Sequence, residues 1–295
     1  AHRTVDPAVA GSIPVSPANF FALYSILNGY CNSMEIIKIL VLAVLQGIAE
    51  FLPISSSSHI LIVGNFLGID AEGAELGLFL HAGTLLSICF YYRRRLARLI
   101  SGIVRGDKEE WRFALSLVLG CVPAALFYII ANDFISSKFD GDWRFTGSML
   151  IVTGIALISL RVFRHAADNA KIGFGRALLI GIAQALAIIP GISRSGATIV
   201  CARHLGVNGK DAADFSFLMS LPLVAGALIL QLLDMREVGG VASFNIWAML
   251  LAVFVSFAVG CLAIKILIRV LAGARFWLFG IYCIIAGMLL LLFSP

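Results

Sequence analysis

The sequence predicts an all-α polytopic membrane protein, built as an inverted-topology repeat with about six full transmembrane helices and two re-entrant helical hairpins. Three observations carry this. Of the 295 residues 60% are hydrophobic and only 13% are charged, about half the charge of a typical soluble domain. Six apolar stretches are long enough to cross a ~30 Å hydrocarbon core. Two further apolar regions are interrupted at what would be membrane depth, and the two interruptions resemble each other.

Taken in order, residues 36–52 are apolar up to Pro53 and a serine run, and a short apolar piece then extends from His59 to about Leu67. Spans follow at 75–92, 112–132 and 145–163. Residues 177–189 stop at Pro190-Gly191, and after ISRSG another short piece reaches about Leu205. Spans at 213–233, 245–268 and 276–294 complete the chain. Each piece of the broken regions is about 10 to 25 Å long as helix, short of a comfortable crossing. Re-entrant hairpins are tolerated where protein or a polar cavity shields their backbone; one kinked spanning helix at each place is the plainer alternative. We treat residues 1–33 as an N-terminal extension of unknown role, with no evident signal peptide. Residues 34–295 read as one membrane domain, with halves of about 34–163 and 164–295.

Charge fixes the expected orientation. Residues 93–112 contain Arg93, Arg94, Arg95, Arg98, Arg105, Lys108 and Arg112 against three acids, and 161–176 contain Arg161, Arg164, Lys171 and Arg176 against Asp168. Both are expected in the cytoplasm, with Lys265, Arg269 and Arg275 marking a third cytoplasmic turn. The net charge of +5 is thereby accounted for, and with no basic face or stacking motif nucleic acid is not an expected partner. The six cysteines form no CxxC pair; with five of them in apolar segments, they read as small buried hydrophobes.

QGIAEFLPISSSS at 46–58 aligns without gaps on QALAIIPGISRSG at 184–196. Gln46/Gln184, Ala49/Ala187, Ile54/Ile192, Ser55/Ser193 and Ser57/Ser195 match at a constant offset of 138 residues. One broken hairpin plus three spans per half gives the halves opposite orientations. Such architectures place their site near the midplane, where broken helices meet.

Ionisable residues at membrane depth are functional candidates by default, and here they are Glu50, His59, His81 and Arg194. Gln46 and Glu50, four apart, share a helix face. Ser55, Ser56, Ser57 and Ser58 supply hydroxyls at the start of one half-helix, and Ser193-Arg194-Ser195 opens the other. Helix N-termini and an arginine fork both favour a phosphate-like anion. His59, beside Glu50 and the serines, reads as a base or nucleophile. His81 lies in a full span (LFLHAGTLL) and reads as a residue behind the site. His165 and His204 fall in or near loops, Tyr282 reads as packing, and neither histidine is given a role. Local chemistry therefore calls for an anion site, a general base and a divalent cation on carboxylate and phosphate. That describes an enzyme of lipid phosphates, or an anion transporter.

These motifs resemble the bacterial undecaprenyl-diphosphate phosphatases of the bacitracin-resistance type. Gln46-Gly47-Ile48-Ala49-Glu50 is similar to that family's first motif, followed by Phe51-Leu52-Pro53-Ile54-Ser55-Ser56-Ser57-Ser58-His59. Pro190, Gly191, Ser193, Arg194, Ser195 and Thr198 match its PG-x-SRS-x-x-T motif completely. The resemblance runs from about Met34 to the C-terminus. One departure is Cys283, after Phe279-Gly280-Ile281-Tyr282, where many members carry arginine.

The resemblance implies a bacterial inner-membrane enzyme. It would hydrolyse undecaprenyl diphosphate to the monophosphate and phosphate with Mg²⁺ or Ca²⁺, recycling the lipid carrier for peptidoglycan and opposing bacitracin. In that reading Arg194 with Ser55, Ser57, Ser193, Ser195 and Thr198 holds the diphosphate. Gln46 and Glu50 hold the metal or the attacking water, and His59, Ser56 or water is the nucleophile. A polyprenyl-phosphate carrier or flippase using the same pocket is the alternative. The SR-x5-H-x3-D motif of the type-2 phosphatidic-acid phosphatases fails at Val200. Homodimer formation is left open.

Overall fold

Eleven helices and no strand occupy the described residues of the computed structural model, which are 34–69, 74–139, 141–162, 170–237, 245–272 and 275–293. The expected 1–33 extension and His165 lie outside them. Contacts divide the chain into two units, residues 1–38 and 39–295, and the second carries all that follows. The first helix, α1, covers 34–49, of which 39–49 belong to the second unit. Then come α2 (Ser56–Leu67), α3 (Ala74–Tyr91), α4 (Arg93–Val104), α5 (Lys108–Phe139), α6 (Trp143–Val162), α7 (Phe174–Leu186), α8 (Arg194–His204), α9 (Gly209–Glu237), α10 (Ile246–Ala272) and α11 (Leu278–Phe293).

Both broken regions form two short helices flanking a non-helical stretch, at 50–55 between α1 and α2 and at 187–193 between α7 and α8. The six expected spans are helical over their described residues, but among the described residues only four helices are long and apolar enough to cross a membrane: 108–131 within α5, α6, 209–233 within α9, and α10. Apolar stretches in α3 and α11 are shorter, at Leu76–Tyr91 and Leu278–Phe293. The protein is thus an all-helical multi-pass membrane protein. One element differs from expectation: the basic loop after α3 is helical as α4. RRRLARLISGIV alternates Leu96, Leu99, Ile100 and Ile103 with arginines at helical spacing, so one face is apolar, and Leu99 is buried.

The helix starts follow from side-chain caps, as short polar residues compete for free backbone N–H groups. Asp142 accepts from the backbone of Arg144 and Phe145 at the start of α6. Asn208 does so from Asp211 at α9, and Asn245 from Trp247 at α10. The exterior is apolar: Leu126, Ile129, Ile155, Phe254 and Leu292 are exposed, while Ser116, Thr153, Ser216 and Ser256 are buried. This reverses the water-soluble arrangement and suits a lipid solvent.

Small residues let the helices approach. A Cβ on Gly147 would lie 2.9 Å from Gly287 O and one on Gly287 2.6 Å from Gly147 O; Gly154 and Gly280 stand in the same reciprocal relation at 2.7 and 2.6 Å. Two glycines seven residues apart on α6 therefore meet two on α11, in antiparallel order. α5 and α7 also approach closely, a Cβ on Gly181 lying 2.3 Å from Gly120 O and one on Gly120 3.3 Å from Ala177 O. The ends can be told apart as well. Tyr92 bonds Asp214, Arg95 bonds Glu110, Ala170 N bonds Gly206 O, and Arg161 stacks on Trp277. These contacts gather the basic connections at one end, whereas Phe66 meets Trp143 at the other.

Replacing Gly154 or Gly280 with leucine is expected to abolish stable folding or lower the thermal midpoint in detergent by many degrees, because the added atoms meet backbone. Gly175→Ala, whose Cβ meets nothing within 4 Å, is expected to leave it unchanged. Equal midpoints for all three would refute this account of the α6–α11 seam.

Candidate active site

The two breaks meet. Ser195 Oγ donates to Leu52 O at 3.2 Å, a Cβ on Gly196 would sit 3.3 Å from the Pro53 ring, and the Arg194 guanidinium is paired with the Glu50 carboxylate. Each break is braced by other elements. Gly191 takes φ +95° and sits so tightly on α6 that a Cβ would lie 2.4 Å from Thr146 O. Thr153 Oγ1 donates to Gly191 O and accepts from Ser193 N. The first break is held by Cys283, whose thiol donates to Pro53 O at 3.3 Å. Cys283 thus faces a backbone carbonyl, and it is fully buried.

Glu50 is the centre. Its Oε1 pairs with Arg194; its Oε2 accepts from Gln46 Nε2 at 3.0 Å and from Ser56 Oγ at 2.9 Å, with His81 Nε2 3.9 Å away. The carboxylate is buried, and a buried carboxylate needs this many donors. Arg194 Nη1 is buried with no protein partner. A cavity of about 610 Å³ opens beside the pair. At one side it is lined by Glu50, Ser55, Ser56, Ser57, His81, Ser193 and Arg194, and elsewhere by apolar residues of α5 and α9 such as Ala125, Ile129, Leu223 and Leu230. A hydroxyl-and-arginine pole with an apolar extension matches a ligand having an anionic head and a hydrocarbon tail.

Not every expected residue reaches the cavity. Ser195 is turned onto Leu52, and Thr198 is fully buried, bonded to Arg194 O and to Ser216 Oγ at 2.6 Å. Both therefore shape α8 and are not cavity-lining phosphate ligands, because helical geometry from the Ser193 cap carries them inward. Gln46 is buried one turn before Glu50 and orients its carboxylate. Its counterpart Gln184 faces Ile188 in sequence instead of an acid, and both of its amide atoms lack partners.

His59 lies behind the serine loop. Nδ1 is 2.8 Å from Ser55 O, so it must carry the proton, and Nε2 accepts from Tyr282 Oη at 2.6 Å. The rings stack at 5.6 Å. His59 thus grips the carbonyl of Ser55, whose φ of 67° is the only positive value outside glycine among the described residues. Tyr282, read from sequence as packing, is the contact that sequence reasoning missed. His204 contacts Ser159, outside the site.

Oxygen donors of the Glu50 and Gln46 type suit Mg²⁺ or Ca²⁺, but one carboxylate and one amide make a fraction of a six- to eight-ligand shell. No cluster of three His, Cys, Asp or Glu side chains that could hold a metal occurs among the described residues. A cation here fits only if a bound phosphate supplies further oxygens.

The comparisons agree in one direction. Residues 39–289 match the model of the family described as bacitracin resistance protein BacA. The chain is 39% identical to an undecaprenyl-diphosphatase of Rhodopirellula baltica over 264 residues, covering 88% of this chain and 98% of that protein. It is 37% identical to one of Desulforapulum autotrophicum (87% and 97% covered) and 32% identical to undecaprenyl-diphosphatase 1 of Bacillus licheniformis (88% and 99%).

Arg194→Ala leaves the buried Glu50 without its counter-charge and is expected to destabilise the protein by about 3 kcal/mol. Adding Glu50→Gln is expected to restore most of that loss. Thermal unfolding of the two variants in detergent checks this, and additive losses would exclude the coupling.

Proposed function

The chain belongs to the bacitracin resistance protein BacA family, and from that premise we propose that it is an integral-membrane phosphatase hydrolysing undecaprenyl diphosphate to undecaprenyl phosphate and inorganic phosphate. It thereby recycles the lipid carrier for peptidoglycan synthesis and confers bacitracin resistance. The observation that carries the reading is the Ser56–Glu50–Arg194 arrangement at the polar pole of a cavity with an apolar extension.

Arg194 holds the terminal phosphate through the nitrogen not engaged by Glu50, and Ser55, Ser57 and Ser193 donate to its oxygens. Fixed donors aimed at developing charge are the main source of catalysis in phosphoryl transfer. Ser56 Oγ attacks the terminal phosphorus while its proton passes to Glu50 Oε2, with which it is already bonded. The bridging P–O bond breaks and undecaprenyl phosphate leaves. Water then cleaves the serine phosphate, and the serine oxygen recovers a proton. His59, with both nitrogens engaged, acts by fixing the Ser55 carbonyl and so the serine loop, and His81 lies beside Glu50. Glu50 and Gln46 would hold a divalent cation, Mg²⁺ or Ca²⁺, which would supply further charge neutralisation.

The two broken regions are re-entrant hairpins of an inverted repeat, with halves of about 34–163 and 164–295. Support comes from the reciprocal glycine pairs of α6 and α11, and from equal 3.3 Å contacts of Ser55 with Ser57 and of Ser193 with Ser195, 138 residues apart. The basic end faces the cytoplasm of a bacterial inner membrane.

Purified protein is expected to release phosphate from undecaprenyl diphosphate and to lose the activity in EDTA. Ser56→Ala and Arg194→Ala are each expected to lower kcat/KM on the order of 10²- to 10³-fold. Folded wild type that binds the lipid without releasing phosphate would favour a carrier.

A further inference from the structure

A second cavity adjoins the site, and the function just proposed gives it no task. Its volume is about 260 Å³, and it is lined by Ser57, Ser58 and Leu61 of α2, Gly141 and Thr146 at the start of α6, and the 187–190 stretch of the second break. Ser57, Ala187 and Ile188 line both cavities. The two cavities adjoin at these residues, and the second extends to Gly141 in the α5–α6 connection, at the end away from the basic loops.

Thr146 is 1% exposed, and its Oγ1 has no hydrogen-bond partner in the protein. A helical threonine can bond the carbonyl four residues back; here Asp142 O accepts from the Thr146 backbone N–H, and among the described residues Thr146 Oγ1 meets no partner. A buried hydroxyl left unpaired carries a cost that a native structure ordinarily avoids, and Thr146 is among the residues around the second cavity.

Chemistry separates the two products. Undecaprenyl phosphate keeps its tail in the apolar extension between α5 and α9, whereas orthophosphate is a hydrated anion for which that route is closed by the tail and costly in free energy. We propose that the second cavity is an orthophosphate passage, in which Ser57, Ser58 and Thr146 take the ion from the Arg194 pole and pass it to the aqueous side. The proposal rests on the phosphatase reading. Hydroxyls alone line the passage as polar side chains, and the nearby Asp142 carboxylate caps α6. A weak site for an anion suits release and opposes retention.

Thr146→Val removes the hydroxyl at constant volume, and Thr146→Ser restores it. With undecaprenyl diphosphate as substrate, Thr146→Val is expected to raise the inhibition constant of orthophosphate at least threefold. The KM for the lipid and the inhibition constant of undecaprenyl phosphate should stay within twofold of wild type, and Thr146→Ser should behave as wild type. Narrowing the passage with Leu61→Trp is expected to lower kcat and produce a pre-steady-state burst of undecaprenyl phosphate. Unchanged orthophosphate inhibition in active, folded Thr146→Val overturns the passage and leaves the phosphatase intact. An inactive, folded wild type overturns the phosphatase reading itself. Equal shifts for both phosphates would assign Thr146 to the lipid headgroup and also overturn the passage.

Discussion

The ion pair between Glu50 and Arg194 is the contact on which the rest of the site depends. It joins two chain segments 144 residues apart, each of which has given up helical hydrogen bonding in a protein with an apolar exterior. Inside lipid neither charge is tolerable alone, so each break requires the other. Gln46 and Ser56 complete the carboxylate and tie it to the serine loop. Protein contacts alone thus hold the donors of the polar pole in fixed positions, the arrangement that preorganised catalysis requires.

Around that pair, small residues set the geometry. Glycines bring α6 against α11 and α5 against α7 at distances no side chain would permit. α6 in turn fixes the second break through Thr153 and the Gly191 contact. α11 fixes the first through Cys283 and the Tyr282–His59 bond. The seam and the site are thus one mechanical unit, in which α6 braces the second break and α11 the first.

The cavity divides labour by polarity. Hydroxyls and the guanidinium gather where the two breaks meet, and the walls contributed by α5 and α9 are apolar. One continuous space thus offers hydrogen bonding and charge at one end and exclusion from water at the other. Family membership and the chemistry of this pole converge on the same reaction.

Most of the fold was legible in the sequence because membrane proteins write their spans as long apolar runs and their interruptions as Pro, Gly and Ser. The helix breaks after Ala49 and Leu186 fall close to where Pro53 and Pro190 predict them. Glu50, Ser56 and Arg194 could be named because a charged or hydroxyl-rich stretch inside an apolar run has few structural explanations. The α4 helix was hidden by its arginines, which charge counting reads as a loop. What sequence could not decide was direction. Ser195 and Thr198 turn inward while Ser56 turns to the carboxylate, and His59 faces away from the cavity toward Tyr282, 223 residues on. Side-chain direction at a break depends on dihedrals such as the φ of Ser55 and on partners from distant helices. No local pattern encodes those partners. Residue type and spacing determined what chemistry is present; only the packing of distant helices determined which atoms meet.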